Sequence, residues 1–283
     1  MRVLFVHAHP DDESIATGVA IGAFAAAGYE VHVLTCTLGE QGEVIARELQ
    51  HLDADHEDAL GPYRLGEGRA ALAALGATGH LLGDPHGVAP AYRDSGMAGS
   101  ASSQRSDAFV HADLGAAIAM ARAVIEQVAP EVVITYDQHG GYAHPDHIQA
   151  HRVTTAAVAA VSERWQVPKF YWTVLAVSAF RAGLDALGAD DVLADWIWPT
   201  DEMGFGFGDD QITAAIDAPE HVPAKVAAIA AHATQMAMGP TRRAFTLSNK
   251  LVLPVLAGEH YVLVHGLPGT TGENGWETDL LAG

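Results

Sequence analysis

Two short stretches of the chain place histidine next to proline and aspartate, and such side chains can bind metal ions and move protons. The first reads HPDDE over residues 9–13, and the second reads HPDH over residues 144–147. Imidazole nitrogens and carboxylate oxygens suit a catalytic zinc ion, which takes three protein ligands and keeps one position open for water. Together the two stretches could therefore supply the ligands of one metal site.

The spacing within the first stretch separates the tasks of its two aspartates. His9 and Asp12 are three residues apart at an expected helix start, so both side chains can face one point. Asp11 lies between them and is expected to point elsewhere, which leaves its carboxylate free for proton transfer. The first stretch thus predicts two metal ligands and a general base.

The second stretch offers several histidines whose roles the spacing does not separate. Pro145 suits the first position of a helix, which places His144 near the helix cap and His147 on the first turn. Either histidine could be the third ligand. His151 lies one turn beyond His147 on the same face, and we expect it to be structural rather than a ligand.

A purely structural interpretation of each stretch has to be weighed against the metal site. An aspartate at a helix start can accept backbone N–H bonds and favours the helix dipole, so either stretch alone could be a cap. Both together, at equivalent ends of two separate strands, favour the metal site. We expect His7, His139 and Cys36 to be packed or structural residues.

The elements that must position these side chains alternate between strands and helices. The predicted strands cover residues 2–8, 29–39, 79–84, 131–137 and 169–177, and the predicted helices cover residues 14–28, 68–77, 114–130 and 144–164. Strands that are apolar on both faces and joined by helices indicate a parallel sheet with helices on both sides. Ligands bind such sheets at the carboxyl ends of the strands, where both stretches lie.

The chain divides into two parts of different character. Residues 1–184 are predicted to form the catalytic core with the metal site, and residues 185–283 a smaller part that packs on the core and helps to form the substrate pocket. In this second part we expect a helix over 222–236 and a strand over 259–266, and the role of the aromatic, glycine-rich segment 195–210 stays open. The long connections 39–64 and 83–112 are expected to shape the pocket.

Composition restricts the class of partner. The chain has 283 residues, 49% of them hydrophobic, and a formal net charge of −20. Nucleic acids and anionic membranes bind clustered Lys and Arg, which this sequence lacks, so we expect neither partner. A single cysteine allows no intramolecular disulfide, and no apolar run is long enough to span a membrane. The expected location is the cytoplasm.

The two histidine-containing stretches and several others resemble the motifs of a known family. The pair AHPDDE and HPDH resembles the zinc-dependent deacetylases of the LmbE and PIG-L type, which remove acetyl groups from compounds containing N-acetylglucosamine. The stretches TCTLGEQGEV, YRLGE, YRDSGMAGS, AHATQMAMGPTRRAF and GENGWETDLLAG resemble one branch of it, the deacetylases of N-acetylglucosaminyl-inositol in mycothiol biosynthesis. The likeness extends over nearly the whole chain.

The resemblance implies a Rossmann-like core of mostly parallel strands with helices on both faces, followed by a smaller C-terminal α+β part. Matched residue by residue, the motifs imply the metal ligands His9, Asp12 and His147 and the general base Asp11. The remaining active-site groups match Tyr142, His144 and Asp146. The groups that hold the sugar or inositol hydroxyls match Arg64 and Asp94, although Arg64 and Arg93 could also be solvated surface residues.

One zinc ion per chain is the implied cofactor, and a small sugar-inositol molecule is the implied partner. Fe(II) and Mn(II) also accept His and Asp ligands. In the implied amide hydrolysis, we expect His144 to be oriented by Asp146 and kept protonated, so that it stabilises the oxyanion or acts as the acid. Tyr142 would donate a further hydrogen bond, and the glycines of HGGYAH would let it move as substrate binds.

Three other functions compete with this interpretation. An amidase of mycothiol S-conjugates would use the same metal centre on a larger substrate, and comparing turnover of the two substrates separates it from the deacetylase. A non-catalytic sugar- or nucleotide-binding module is disfavoured, because the first turn lacks G-x-G-x-x-G and its acids would repel a pyrophosphate. A metal phosphoesterase would need ligands for a second metal, which the two stretches do not supply.

Overall fold

The predicted alternation of strands and helices forms the core of the computed structural model, which describes residues 1–161, 165–200 and 204–282. The strands are β1 Arg2–His7, β2 Glu30–Thr35, β3 Thr78–Leu81, β4 Val132–Tyr136, β5 Lys169–Val174, β6 Ala214–Asp217, β7 Ala237–Met238, β8 Ala244–Thr246, β9 Leu253–Pro254 and β10 Gly258–His265. The helices are α1 Asp12–Ala16, α2 Gly18–Ala26, α3 Leu60–Leu75, α4 Leu114–Val128, α5 Gly140–Ala143, α6 Pro145–Ala160, α7 Val177–Asp185 and α8 Val222–Ala231. The predicted helix end at 162–164 and part of the aromatic segment, 201–203, lie outside the described residues.

A seven-stranded sheet is the centre of the described chain, with the strand order β3-β2-β1-β4-β5-β10-β6. The first five strands of this order, β3, β2, β1, β4 and β5, are parallel to one another, whereas β10 is antiparallel to both β5 and β6. The mostly parallel α/β class is therefore confirmed. The chain moves outwards from β1 to β2 and β3 and then returns to β4 on the other side, so β1 and β4 form the topological switch point where ligands bind such sheets.

The apolar character of β1 follows from the burial of both faces of the sheet. Val3 and Phe5 pack into the core on one face, whereas Leu4 and Val6 pack into the core on the other. Alternate residues of a strand point to opposite faces, so a strand covered on both sides must be apolar throughout. Each such side chain contributes roughly 1.5–3 kcal/mol when fully buried.

Helix α3 differs from the prediction, which had residues 39–64 as a loop and the helix beginning at residue 68. It begins at Leu60, and Arg64 lies on its first turns, 3% exposed. Pro62 does not prevent this start, because the first N–H groups of a helix have no partner within the helix. The solvated alternative for Arg64 is therefore wrong. The predicted helix 14–28 is also divided in two at Thr17.

The C-terminal part contributes to the central sheet and to its cover. Strands β6 and β10 extend the sheet, α8 packs against α2 and α3, and β7, β8 and β9 form a separate three-stranded sheet. The division of the chain at residue 184 stays a prediction. Helix α7 and strand β6 were not predicted. Within the described residues, no helix combines the length and the apolar character needed to cross a lipid bilayer.

A buried ion pair joins three of these elements. The Glu259 carboxylate on β10 accepts the N–H groups of Val19 and Ala20 at the start of α2, both at 2.8 Å. Lys225 on α8 donates to the same carboxylate at 2.8 Å. An acid at a helix N-terminus stabilises the helix dipole, and here a lysine balances its charge.

Candidate metal centre

The two predicted stretches meet at the switch point, because one follows β1 and the other follows β4. The ring centres of His9 and His144 lie 4.7 Å apart, and those of His9 and His147 lie 5.3 Å apart. The edge of the sheet thus brings together side chains that are more than 130 residues apart in the sequence. His9, His144 and His147 are all buried.

Asp12 lies between the two histidines predicted to be ligands. Its Oδ2 is 3.3 Å from His9 Nδ1, and its Oδ1 is 3.4 Å from His147 Nε2. Burial opposes ionisation of Asp12, but His147 and His9 hold the pKa of its carboxyl well below the usual range. The predicted ligands His9, Asp12 and His147 therefore form one contiguous group around an ionised carboxylate.

His147 Nε2 shows that this group suits a cation. Nε2 is buried and has no hydrogen-bond partner among the described residues, while the ring also bonds the backbone of Gly140. Burial lowers the pKa of His147 to about 4, so the ring is neutral near pH 7 and Nε2 can present a lone pair. A lone pair and a carboxylate 3.4 Å apart repel each other unless a positive charge lies between them.

Two further donor sets share His9. Single ligand atoms of His9, His144 and His147 lie within 4.8 Å of one another, and the same holds for His9, Asp94 and Asp146. A buried group of histidines and aspartates at this edge could therefore hold a metal ion.

The Nε2 side of His9 faces two carboxylates. Asp146 Oδ2 lies 3.3 Å from Nε2, and Asp94 Oδ1 lies 3.5 Å from it. Burial alone would lower the pKa of His9, but Asp94, Asp12 and Asp146 together raise it well above its ordinary value. A carboxylate on the far nitrogen of a metal-binding histidine commonly fixes the orientation of the ring.

Asp146 is held by a residue that the sequence did not single out. The Ser95 N–H donates to Asp146 Oδ2 at 2.9 Å, and the Ser95 hydroxyl donates to Asp146 Oδ1. The Asp146 carboxylate thus faces His9 and Ser95. Asp146 contacts His144 through its backbone, because the N–H of Asp146 donates to His144 Nδ1 at 3.1 Å. That this contact orients His144 for the reaction stays a prediction.

His144 also differs from its expected protonation state. Burial, together with His9 and His147, lowers the pKa of His144 to about 4, whereas a protonated ring was predicted. Since Nδ1 accepts the Asp146 N–H, the neutral ring carries its proton on Nε2. His144 is therefore a neutral hydrogen-bond donor in this arrangement.

Asp11 has an unusual backbone conformation and a perturbed carboxyl group. Its φ of 124° lies where residues other than glycine rarely occur. Arg64 Nη2 lies 2.8 Å from its Oδ2 and also bonds the carbonyl of Pro10. Burial raises the pKa of Asp11 to about 6 even though Arg64 opposes the shift, and such a value suits proton transfer near neutral pH.

Gly39 makes room for Arg64. Its carbonyl accepts a hydrogen bond from Arg64 Nη1 at 2.6 Å, and its φ is 64°. A Cβ at this position would lie 1.8 Å from Nη1. The turn after β2 therefore requires glycine, both for its conformation and for the close approach of the guanidinium.

The two residues predicted to bind substrate lie beside the candidate metal ligands and Asp11. Arg64 contacts Asp11, and Asp94 faces His9 while accepting N–H bonds from Gln41 at 3.0 Å and Gly96 at 2.7 Å. Both side chains are buried, so little of either is open to solvent. Their role in holding sugar hydroxyls stays a prediction.

Tyr142 lies at the entrance to the site. Its side chain is 49% exposed, and its ring centre is 5.1 Å from that of His147 and 6.0 Å from that of His144. Gly141, immediately before it, has a φ of 67°. Movement of Tyr142 on substrate binding stays a prediction.

Residues outside the predicted ligand set complete the surroundings. The ring of Tyr136, at the end of β4, stacks on His147 with ring centres 4.2 Å apart, and Glu13 accepts the N–H of Asp11 at 2.9 Å. Neither received a role from the sequence, although both lie in stretches that were quoted for other reasons. His7 bonds Thr17 and is buried, as predicted.

Cys36 and His151 were also expected to be structural residues. Cys36 is buried, and burial raises the pKa of its thiol, which keeps it unreactive. His151 Nδ1 lies 2.9 Å from the carbonyl oxygen of Tyr136 and so supports the end of β4.

Comparisons with known proteins add to this geometry. Residues 4–158, which contain every predicted site residue, match the model of a family described as PIG-L: GlcNAc-PI de-N-acetylase. The chain is 55% identical over 287 residues to the 1D-myo-inositol 2-acetamido-2-deoxy-alpha-D-glucopyranoside deacetylase of Mycolicibacterium smegmatis, with 100% of this chain and 96% of that protein covered. The protein of the same name from Mycobacterium bovis (strain BCG / Pasteur 1173P2) is 52% identical over 295 residues, with the same coverage.

A solved structure shares the fold at much lower identity. The 4-carboxy-2-hydroxymuconate hydratase GalB from Pseudomonas putida KT2440 matches with a TM-score of 0.56 at 19% identity, covering 96% of this chain and 98% of that chain. At this identity the likeness shows the fold alone. A shared fold does not determine the reaction, so the function has to be argued from the site.

Proposed function

The chain belongs to the GlcNAc-PI de-N-acetylase family, and on that basis we propose that it hydrolyses the acetamide of N-acetylglucosaminyl-inositol to acetate and glucosaminyl-inositol, in mycothiol biosynthesis. The observation that carries the chemistry is the buried group of His9, Asp12 and His147, with an unpartnered Nε2 and with Asp11 beside it. The full-length relatives, named as deacetylases of this sugar-inositol, support the substrate. A small-molecule partner and a cytoplasmic location are part of the proposal.

We propose that His9 Nδ1, Asp12 and His147 Nε2 hold one zinc ion, which would take the place of the proton that the raised pKa of His9 favours beside Asp12. These are the atoms that face each other at 3.3 and 3.4 Å. A bound zinc ion would polarise the acetamide carbonyl and lower the pKa of water in the site. Fe(II) suits the same donors, so the test below compares both metals.

Asp11 supplies the proton transfers that amide hydrolysis requires. With a pKa of about 6, most of its carboxyl groups are ionised at pH 7, so Asp11 can take the proton of the attacking water. The same carboxyl can then pass that proton to the nitrogen of the departing sugar amine. Arg64 holds one of its oxygens, which leaves the other free to accept the proton.

His144 and Tyr142 provide hydrogen bonds for the oxyanion that forms when water attacks the carbonyl carbon. His144 donates from Nε2, since its Nδ1 is occupied by the backbone of Asp146. A fixed donor of this kind stabilises the transition state more than the ground state when it is aimed at the developing charge. Tyr142, more exposed, would donate from the entrance once substrate is bound. Arg64 and Asp94 would hold the sugar or inositol hydroxyls.

Release of free amine from N-acetylglucosaminyl-inositol by the purified protein tests the proposal. Turnover and metal content are measured on one sample as purified, after chelation, and after addition of Zn(II) or Fe(II). We expect chelation to remove activity and one metal ion per chain to restore it. A protein that binds metal and leaves this substrate intact, but cleaves a mycothiol S-conjugate, would contradict the substrate assignment and support the amidase.

A further inference from the structure

The strained backbone of Asp11 is held by a buried carboxylate. Asp11 has φ 124° and ψ −32°, and its N–H donates to Glu13 Oε2 at 2.9 Å. Its carbonyl accepts N–H groups from Ser14 and Ile15, both at 3.0 Å, and so begins α1. Strained conformations of this kind persist only where surrounding contacts hold them. Here the acceptor for the Asp11 N–H is the side chain of Glu13, 2% exposed.

This conformation decides where the Asp11 carboxylate points. Asp11 and Asp12 are neighbours, but Asp12 faces His9 and His147 whereas Asp11 faces Arg64. Relaxation of φ to a common value would rotate the Asp11 side chain relative to the ligand next to it. The contact between Glu13 and the Asp11 N–H therefore bears on the position of the general base.

Glu13 is in turn held by a residue from the far end of the chain. His232 Nε2 lies 2.8 Å from Glu13 Oε1, and both side chains are almost fully buried. His232 follows α8 in a turn where its carbonyl accepts the N–H groups of Gln235 at 3.0 Å and Met236 at 2.9 Å. The turn fixes the main chain at His232, so its ring can hold Glu13 in one place.

Among the described residues, the hydrogen bonding of the His232 ring is confined to its contact with Glu13. Its other nitrogen, Nδ1, has no hydrogen-bond partner among the described residues. A buried polar group costs free energy unless it is bonded, so an apolar side chain would fill this space at lower cost if packing were its only role. The bond to Glu13 accounts for a histidine at this position.

We infer that Glu13 and His232 form a positioning pair, which holds the backbone of Asp11 so that its carboxylate faces the reacting groups. This inference rests on the proposed function, because Asp11 is the general base only if the protein catalyses the proposed hydrolysis. It also connects the C-terminal part of the chain to the site: the turn after α8 holds Glu13 through His232, and Glu13 holds the backbone of Asp11. In this proposal Glu13 and His232 act on the reaction through Asp11, and both side chains are almost fully buried.

The test compares two variants of His232 with a matched control. His232→Leu removes the donor to Glu13, whereas the side-chain amide of His232→Gln can restore it. Thr234→Val is the control, since Thr234 lies in the same turn as His232 and its Oγ1 makes a buried hydrogen bond of 2.7 Å to Glu67 on α3. For each protein, kcat and KM for amine release, bound metal and the thermal midpoint are measured.

We expect His232→Leu to keep one metal ion per chain and to lose about 10²-fold in kcat, because small displacements of a catalytic group have effects of this size. KM should stay within about threefold of the parent value, since substrate binding is not affected. His232→Gln should recover most of the loss, and Thr234→Val should lower the thermal midpoint with little change in kcat. Loss of stability alone in His232→Leu, with kcat unchanged, would overturn the inference.

Two further measurements keep the result decisive. In an Asp11→Ala background, His232→Leu should reduce the residual kcat by less than about twofold, because residues that act through one group are not additive; a full further loss would make the role structural. If His232→Leu does not fold, Glu13→Met removes the carboxylate that accepts the Asp11 N–H and is judged by the same criteria. A parent protein that binds metal but releases no amine refutes the proposed function and the inference with it, whereas an active parent with an equally active His232→Leu refutes the inference alone.

Discussion

Replacing Lys225 by methionine should destabilise the protein by about 3 kcal/mol, because it leaves the carboxylate of Glu259 buried without its cation. The two side chains are 3% and 2% exposed and 2.8 Å apart. Breaking a buried pair typically costs about 3–5 kcal/mol. The lower end applies here, since the N–H groups at the start of α2 still bond the carboxylate.

Urea and thermal unfolding at neutral pH measure the effect. For a chain of 283 residues, about 3 kcal/mol corresponds to a fall in Tm of about 5 °C. Lys250→Met is the matched control: its ammonium lies 2.7 Å from Asp195, but the side chains are 53% and 61% exposed. An exposed pair of this kind contributes at most about 1 kcal/mol.

A second substitution tests whether the stranded charge causes the loss. Adding Glu259→Gln to Lys225→Met removes that charge, so the double variant should be more stable than Lys225→Met alone. Equal losses for Lys225→Met and Lys250→Met would refute the argument that burial determines the effect. Failure of Glu259→Gln to recover any stability would show that the loss arises from packing rather than from charge.

Further predictions concern the site, the turn behind it and the edge of the sheet. Asp11→Asn should retain bound metal and lose about 10²–10⁴-fold in kcat, whereas His147→Ala should lose the metal itself; metal analysis beside turnover distinguishes them, and the reverse pattern would exchange their roles. Gly39→Ala should lower the free energy of unfolding by more than about 1 kcal/mol, because the positive φ of Gly39 and the nearby guanidinium exclude a Cβ. Urea unfolding measures this loss, and an unchanged urea midpoint would contradict it. Burial lowers the pKa of both His32 and His80 from 6.5. The unfolded chain then binds more protons below that pH, so stability should fall from pH 7 to pH 5 more steeply than in a variant with glutamine at both positions; parallel pH profiles would count against it.

The sequence predicted the parts of the fold that leave a local pattern. Apolar runs indicated the parallel strands, and the HPDDE and HPDH stretches indicated where the two loops meet, because strand ends gather at one edge of a parallel sheet. Helix α3 was partly missed. Gly61, Pro62 and Gly66 lower its intrinsic helix propensity, and packing against α8 outweighs that preference.

Contacts between distant residues left no such pattern. Ser95 bonds Asp146, and His232 bonds Glu13 across 219 positions, so no spacing in the sequence connects either pair. The protonation of His144 was predicted in the wrong direction for a related reason. Its pKa depends on burial and on His9 and His147 nearby, and those are properties of the folded site.

The position of β10 between β5 and β6 sets an order for synthesis on the ribosome. In the described part of the chain, strand β6 pairs with the central sheet through β10, which is made about 40 residues later. Until residues 258–265 have emerged, the edge of β5 stays open and β6 has no neighbour in the sheet, and open edges of this kind invite pairing with other chains. A nascent chain halted before β10 would thus carry both loops of the candidate metal centre and still expose an aggregation-prone edge.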